Sequence, residues 1–356
     1  MERFARSFGD LTVQQIGVVV IGRNEGDRLR ECLESLSGSR PRVVYVDSGS
    51  TDDSVDLAQR MGAEVVALDP RIPFTAARAR NEGFLRLMQL HPGVEYVQFV
   101  DGDCRVAGGW IESAFNAMQQ NSHAAVICGR RRERYPEQSI YNLLCDLEWN
   151  TPAGVADECG GDALVRVAAF REAGGYDPRV IAGEDSEMCM RLRLRDWFIV
   201  RIDAEMAMHD AAILRFGQWW KRTVRSGHAL AQRAALHGGS PLRDGVQQRR
   251  STLVWAAAVP LTWAALLTQS LTWPNLLLCG YVVLATKIFR YRRRRGDLRR
   301  DAAAYAMFTT LGKFAQLQGL LIYYRNRLRG QGTTIIEYKS PGGATVPTAE
   351  LSRGCA

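Results

Sequence analysis

The chain has no Cys-x-x-Cys pair among its eight cysteines, at positions 32, 104, 128, 145, 159, 189, 279 and 355. That excludes the usual structural zinc arrangements, and thiols scattered through apolar stretches suit a reducing compartment. Met1 to Asp10 lacks an apolar core of the length a secretory signal needs, so the front half is expected in the cytoplasm. The loop after the first predicted strand lacks the G-x-G-x-x-G fingerprint, which argues against a nicotinamide or flavin site. Acids are scarce in one half only. From Phe216 onward there are 21 Lys and Arg against 5 Asp and Glu, and before it 25 against 33. An acidic front and a strongly basic back predict a polyanionic surface under the back half, either nucleic acid or anionic lipid.

What is present is a regular alternation of apolar runs and helical periodicity. Gly17 to Gly22 reads as a buried parallel strand, and Leu29, Cys32, Leu33 and Leu36 mark one helix face. Val43–Val46, Glu64–Ala67 and Tyr96–Val100 read as further strands, with helices over Ser54–Met61 and Phe74–Leu90 between them. This pattern predicts right-handed βαβ units and a doubly wound, mostly parallel sheet. Beyond it, Gly109–Gln120 reads as a helix and Ala124–Cys128 as a strand running into Arg130-Arg131-Arg132. Tyr135–Gly161 reads as loop-rich, and a last strand starts at Trp197 and ends near His209-Asp210.

The chemistry centres on Val97 to Asp103, an apolar run ending in Asp101-Gly102-Asp103. Two hard oxygen ligands at the carboxyl end of a strand suit a divalent cation on a diphosphate. A solvated turn is the bland alternative. A calcium hand is disfavoured because Arg105 stands at the third ligand position. Glu25 and Asp47 follow the first two strands and fall on the same sheet edge, where Asp47 could accept from a base N–H or a ribose hydroxyl. Capping of the next helix is the other use for Asp47 and Asp52. Asp185 opens a predicted helix, where the dipole alone would explain a carboxylate; as a general base it must face the cation site. His209 is either a structural hydrogen bonder or a third metal ligand.

In this order the landmarks resemble family 2 glycosyltransferases of the GT-A fold. They are Val19 to Glu25, Val46 to Asp52, Ala79-Arg80-Asn81, Asp101-Gly102-Asp103, Gly174-Gly175-Tyr176-Asp177 and Gly183-Glu184-Asp185, and they cover a catalytic domain at 1–215. The resemblance implies that Asp47 contacts the nucleotide base, that Asp101 and Asp103 hold Mg2+ or Mn2+, that His209 completes the coordination and that Asp185 is the catalytic base. Arg23, Glu25, Arg80 and Asn81 join Asp47 and Asp101 as donor-side candidates. Gly161, Asp162, Glu184, Gln218, Trp219 and Arg222 are the acceptor-side or gating candidates. Gly22-Arg23 stands where a proline and an aromatic are common, and Ser48 replaces a second acid after Asp47. Both departures bear on base and sugar identity, not on the reaction class.

The back half is expected to meet a membrane. Segment 216–250, with Phe216, Trp219, Trp220, Lys221 and Arg222, mixes aromatic and cationic residues as an interfacial helix does. Segment 251–330 holds two apolar pieces, Leu253–Ser270 and Leu276–Phe289, with arginines on both flanks. That predicts a transmembrane hairpin with both ends cytoplasmic, followed by another helix over Ala302–Leu328. Segment 331–356 is expected to be disordered. The sum is an inverting transferase at the cytoplasmic membrane face, taking a nucleotide-sugar donor and a lipid-linked or polysaccharide acceptor beside anionic lipids. A polyprenyl-phosphate sugar synthase and a metal-dependent phosphohydrolase are the alternatives. Nucleic acid is disfavoured, since the arginines flank apolar spans instead of alternating with stacking platforms.

Overall fold

The computed structural model describes residues 15–37, 42–269 and 272–330. The expectations for Met1–Asp10, Ser270 and 331–356 lie outside these residues. The front of the chain alternates as expected: β1 (Ile16–Gly22), α1 (Asp27–Leu36), β2 (Arg42–Asp47), α2 (Ser54–Arg60), β3 (Glu64–Ala67), α3 (Ala76–Leu90) and β4 (Tyr96–Asp101). Then come β5 (Cys104–Val106), α4 (Trp110–Gln120), β6 (Ala124–Glu133), α5 (Ile140–Trp149), β7 (Gly154–Ala156), β8 (Ala163–Arg166), α6 (Val167–Ala173), α7 (Glu184–Arg193) and β9 (Phe198–His209). All nine strands form one sheet in the order β3-β2-β1-β4-β8-β6-β9-β5, with β7 pairing β9. Val18, Val19 and Val20 are fully buried, as a central strand covered on both faces requires.

The sheet is parallel from β3 through β4 and becomes mixed beyond it. β8 runs antiparallel to both β4 and β6, and β9 is parallel to β6 but antiparallel to β5 and β7. The stretch expected to be loop-rich, Tyr135–Gly161, contains α5. Ser139 caps that helix by accepting from the Asn142 N–H, and Leu144 and Cys145 bury its inner face. One cap and three turns were too short a signal to stand out between glycines and prolines.

The back half is helical. α8 (Phe216–His237) is crossed by α11 (Arg299–Leu328), and two glycines let them meet backbone to backbone. A Cβ on Gly227 would stand 2.1 Å from the Gln316 carbonyl oxygen, and one on Gly319 would stand 2.0 Å from that of Val224. Between them, α9 (Val246–Leu267) is a continuous helix of 22 residues. Its Val254–Ala258 turn is wound as a π-helix just ahead of Pro260, which has no N–H to continue the ladder. Among the described residues it is the one helix long and apolar enough to cross a membrane, by length and composition. The second apolar piece is divided into a 3-10 turn (Trp273–Leu278) and α10 (Cys279–Arg294). Arg292 alone of the arginine run is buried, paired with Asp297 and lying 4.7 Å above the Tyr305 ring.

Candidate functional site

Strand register brings the expected edge together. Gly22 pairs with Asp47 and Ile21 with Asp101, so the ends of β1, β2 and β4 lie side by side. Asn24, in the left-handed region at φ 55°, clips the first two loops. Its N–H donates to Ser50 Oγ at 2.9 Å, and its Oδ1 accepts from the Thr51 N–H at 2.7 Å. Arg23 lies over the Phe74 ring, and Glu25 pairs with Arg28 at 2.8 Å. Asp47 is buried with its carboxylate saturated by its own neighbourhood. Oδ1 accepts from Tyr45 OH and Ser50 Oγ, and Oδ2 from the Gly49 and Ser50 N–H groups at 2.9 Å each. Four bonds use the whole acceptor capacity of a carboxylate, so Asp47 shapes the loop first.

At the end of β4 the acids and arginines interlock. Arg80, buried on α3, donates to Asp101 Oδ1 at 2.6 Å and to Glu184 Oε1 at 2.5 Å. Asp162, 1 % exposed, accepts the Asp101 N–H at 2.9 Å and pairs with Arg131 at 2.6 Å. Gly161 is required here. A Cβ would stand 2.4 Å from Arg80 Nη2 and 2.8 Å from Asp101 Oδ2. On the other side, β5–β9 pairing sets Cys104 opposite His209, whose Nε2 lies 3.4 Å from Asp103 Oδ2. The edge of Trp149 packs on the His209 ring.

Two neighbouring triads with metal-ligand spacing result: Asp103, Cys104 and His209, and Asp101, Cys104 and Asp162. The donor set fits a hard divalent cation. Its three carboxylates (Asp101, Asp103, Asp162) face Arg131 and an Arg80 shared with Glu184, leaving excess negative charge. Among the described residues the buried His209 Nδ1 has no hydrogen-bond partner, although Glu133 Oε2 lies 4.0 Å away. Cys104 was not a sequence candidate. Burial and the surrounding acids hold its thiol well above the ordinary range, so it stays protonated and donates toward Asp162 at 3.2 Å. Its only sequence signal was its place directly after Asp103. Arg131, one of three arginines expected to meet diphosphate or to lie on a solvated edge, is selected only by the fold.

Asp185 sits in the first turn of α7, one residue from the carboxylate that Arg80 holds. Its Oδ1 accepts from the Ser186 N–H at 2.8 Å. Burial, then the charges of Glu184 and Glu158, push its carboxyl up to about 7, against the pull of Arg80. That is the range of an effective general base at neutral pH.

Several candidates are engaged elsewhere. Asn81 donates to the Tyr176 carbonyl at 2.7 Å and accepts its N–H at 3.0 Å, so it clamps the Gly174-Gly175-Tyr176 turn. Gln218 caps α8, accepting from the Leu214 and Arg215 N–H groups. Trp219 is buried between Tyr141 and Phe308. Arg222 pairs with Glu148 at 3.0 Å. The part of α8 that does reach the site region runs from Arg225 to His237. His237 meets Glu187 at 2.8 Å, Gln232 donates to the Arg179 carbonyl at 2.7 Å and Arg225 to that of Ile181 at 3.2 Å.

Comparison with known proteins agrees with this architecture. Residues 17–173 match the family model described as glycosyl transferase family 2. The chain is 25 % identical over 277 residues to the succinoglycan biosynthesis protein ExoA of Rhizobium meliloti, covering 73 % of this chain and 80 % of that one. It is 25 % identical over 264 residues to the pre-mycofactocin glycosyltransferase of Mycobacterium tuberculosis, covering 70 % of this chain and about half (52 %) of the relative. In fold it is similar to the mannosyltransferase PcManGT of Pyrobaculum calidifontis, with a TM-score of 0.55, 18 % identity, and coverage of 83 % of this chain and 86 % of that one. The sheet edge and the acid pair both fall within residues 17–173, the part of the chain that is similar to glycosyl transferase family 2.

Proposed function

We propose that the protein moves a sugar from a nucleoside-diphosphate donor to an acceptor hydroxyl, with inversion, at the cytoplasmic face of a membrane. The observation that carries this reading is the Arg80 bridge: one buried guanidinium joins Asp101 of the acid pair to Glu184, next to Asp185. Asp101, Asp103 and His209 would hold Mg2+ or Mn2+, in line with the Mn2+ and GDP-Man in the PcManGT complex. Such an ion neutralises charge on the departing diphosphate. The donor lies along the edge lined by Arg23, Glu25 and the loop after Asp47. For Asp47 to meet the base directly, the Ser50 hydroxyl must give up its bond to Oδ1.

Asp185 accepts the proton of the acceptor hydroxyl as oxygen attacks the anomeric carbon from the face opposite the diphosphate. Arg80 keeps Asp101 and the start of α7 in one geometry while this happens. A lipid-linked or polysaccharide acceptor is supported by the likeness to ExoA, named for succinoglycan biosynthesis. It is supported too by the apolar α9 with exposed arginines at Arg250, Arg290, Arg293 and Arg294. Those cations suit anionic lipid headgroups.

The test is a panel of UDP- and GDP-sugars assayed for hydrolysis and transfer with Mg2+, Mn2+ or EDTA. The intact chain should turn over one donor with metal and lose it with EDTA, and Asp101→Ala should lose about a hundredfold or more of that turnover. Asp185→Ala should still bind the donor in calorimetry while transfer disappears. Metal-independent turnover, or transfer surviving in Asp185→Ala, would sink the assignment.

A further inference from the structure

Arg233 and Glu158 have no part in the chemistry above, yet they stand beside its base. Arg233 is on α8 with its side chain only 14 % exposed, and it holds both oxygens of Asp244 through Nε at 2.8 Å and Nη2 at 2.6 Å. Its Nη1 lies 3.6 Å from Glu158 Oε2. Its stem lies over the N-terminus of α7, with Cδ 3.6 Å and Nη1 3.8 Å from where a Cβ on Gly183 would be. Asp244 comes two residues before α9 begins at Val246. One side chain therefore touches the loop leading to Gly160-Gly161, the turn that presents Asp185, and the lead into the apolar helix.

We propose that Arg233 is a positioning residue for transfer: anchored on Asp244, it fixes Glu158 beside Asp185, and the two opposite charges together set the field in which Asp185 works. The proposal rests on Asp185 being the base. The other groups facing Asp185 are Glu184 on its own helix, Arg80 from α3, the Ser186 N–H, and the buried Cys159 and Tyr176, which stay neutral. Glu184 is already bound by Arg80. Glu158, whose side chain is 55 % exposed, and Arg233 are thus the pair left to tune the base from the acceptor side.

Opposite charges give the proposal a signature that a mere brace does not share. In the full-length chain, the Asp185 titration is followed in two ways. One is the pH profile of transfer with the donor the panel selects. The other, independent of substrate, is the thermal midpoint against pH for each variant, compared with the same variant carrying Asp185→Asn. Arg233→Gln should move the titration alkaline by about half a pH unit or more, Glu158→Gln should move it acid, and Arg233→Lys should stay near the parent. If neither variant moves it, or both move it the same way, the proposal is overturned. If Arg233→Gln does not fold, the exposed Glu158→Gln decides alone, and an unmoved titration overturns it. Transfer persisting in Asp185→Ala would instead remove the base assignment, while the thermal titrations would still report on Arg233 and Glu158.

Discussion

At the residue scale, the site is a set of contacts between positions far apart in sequence. Gly161 is the tightest of them. In Gly161→Ala the new methyl overlaps Arg80 and Asp101, so transfer should fall by about tenfold to a hundredfold while the far-ultraviolet circular dichroism is unchanged. Asp185 gives a pH prediction with a definite sign. Its carboxyl goes from 3.8 to about 7 on folding, so between those values the folded protein keeps a proton that the unfolded chain has released. Stability therefore falls as pH rises through that window and levels off above it. Asp185→Asn should gain thermal stability relative to the parent from about pH 4 to about 7, with a constant gap beyond. Transfer by the parent should rise over the same limb toward neutral pH. The places of Asp101, Asp103, Asp185 and His209, beside strand ends and at a helix start, were legible because short motifs follow strands or open helices. The main-chain bonds of Asn81 and Gln218 were hidden for a physical reason: a polar side chain satisfied by main chain looks the same in sequence as one facing a ligand. The Tyr176 backbone that occupies Asn81 is 95 residues away.

At the scale of elements, the first four strands were legible because buried parallel strands are continuous apolar runs with helices between them. In the mixed half β6 and β9 were legible, and β7 and β8 were not. β8 has four residues and β7 three, too few for a period, and their antiparallel pairing depends on partners distant in the chain. The helix crossing was equally hidden, since a glycine in a helix reads as a weakness until its neighbour is known. At Gly319 an alanine must push α8 and α11 apart. Gly319→Ala should cost about 1–3 kcal/mol in chemical denaturation, whereas alanine at exposed Gly239, which has open space around it, should change stability little. Equal effects at the two positions would show that the crossing is not tight.

At the scale of the molecule, the charge asymmetry maps onto the architecture: an acidic sheet domain carrying the site, and basic helices around one apolar helix. Exposed Arg293, Arg294, Arg299 and Arg300 lie just beyond the apolar residues. Replacing all four by glutamate should abolish the preference for anionic over neutral vesicles in flotation, each arginine contributing about 1 kcal/mol. On the proposed reading, in which α9 inserts, the unaltered chain should stay with membranes through a high-salt wash, because insertion does not depend on counterions. Release by salt alone would make the attachment peripheral. α8 is tied to α7 at Glu187 and to the segment before α7 at Arg179 and Ile181, and it leads through residues 238–245 into α9. On the proposed reading, whatever surrounds the apolar helix presses through α8 on the turn that carries the proposed base. Extraction into micelles is then a chemical intervention as well as a purification step, and the acidity at which the enzyme works best should differ between micelles and lipid nanodiscs.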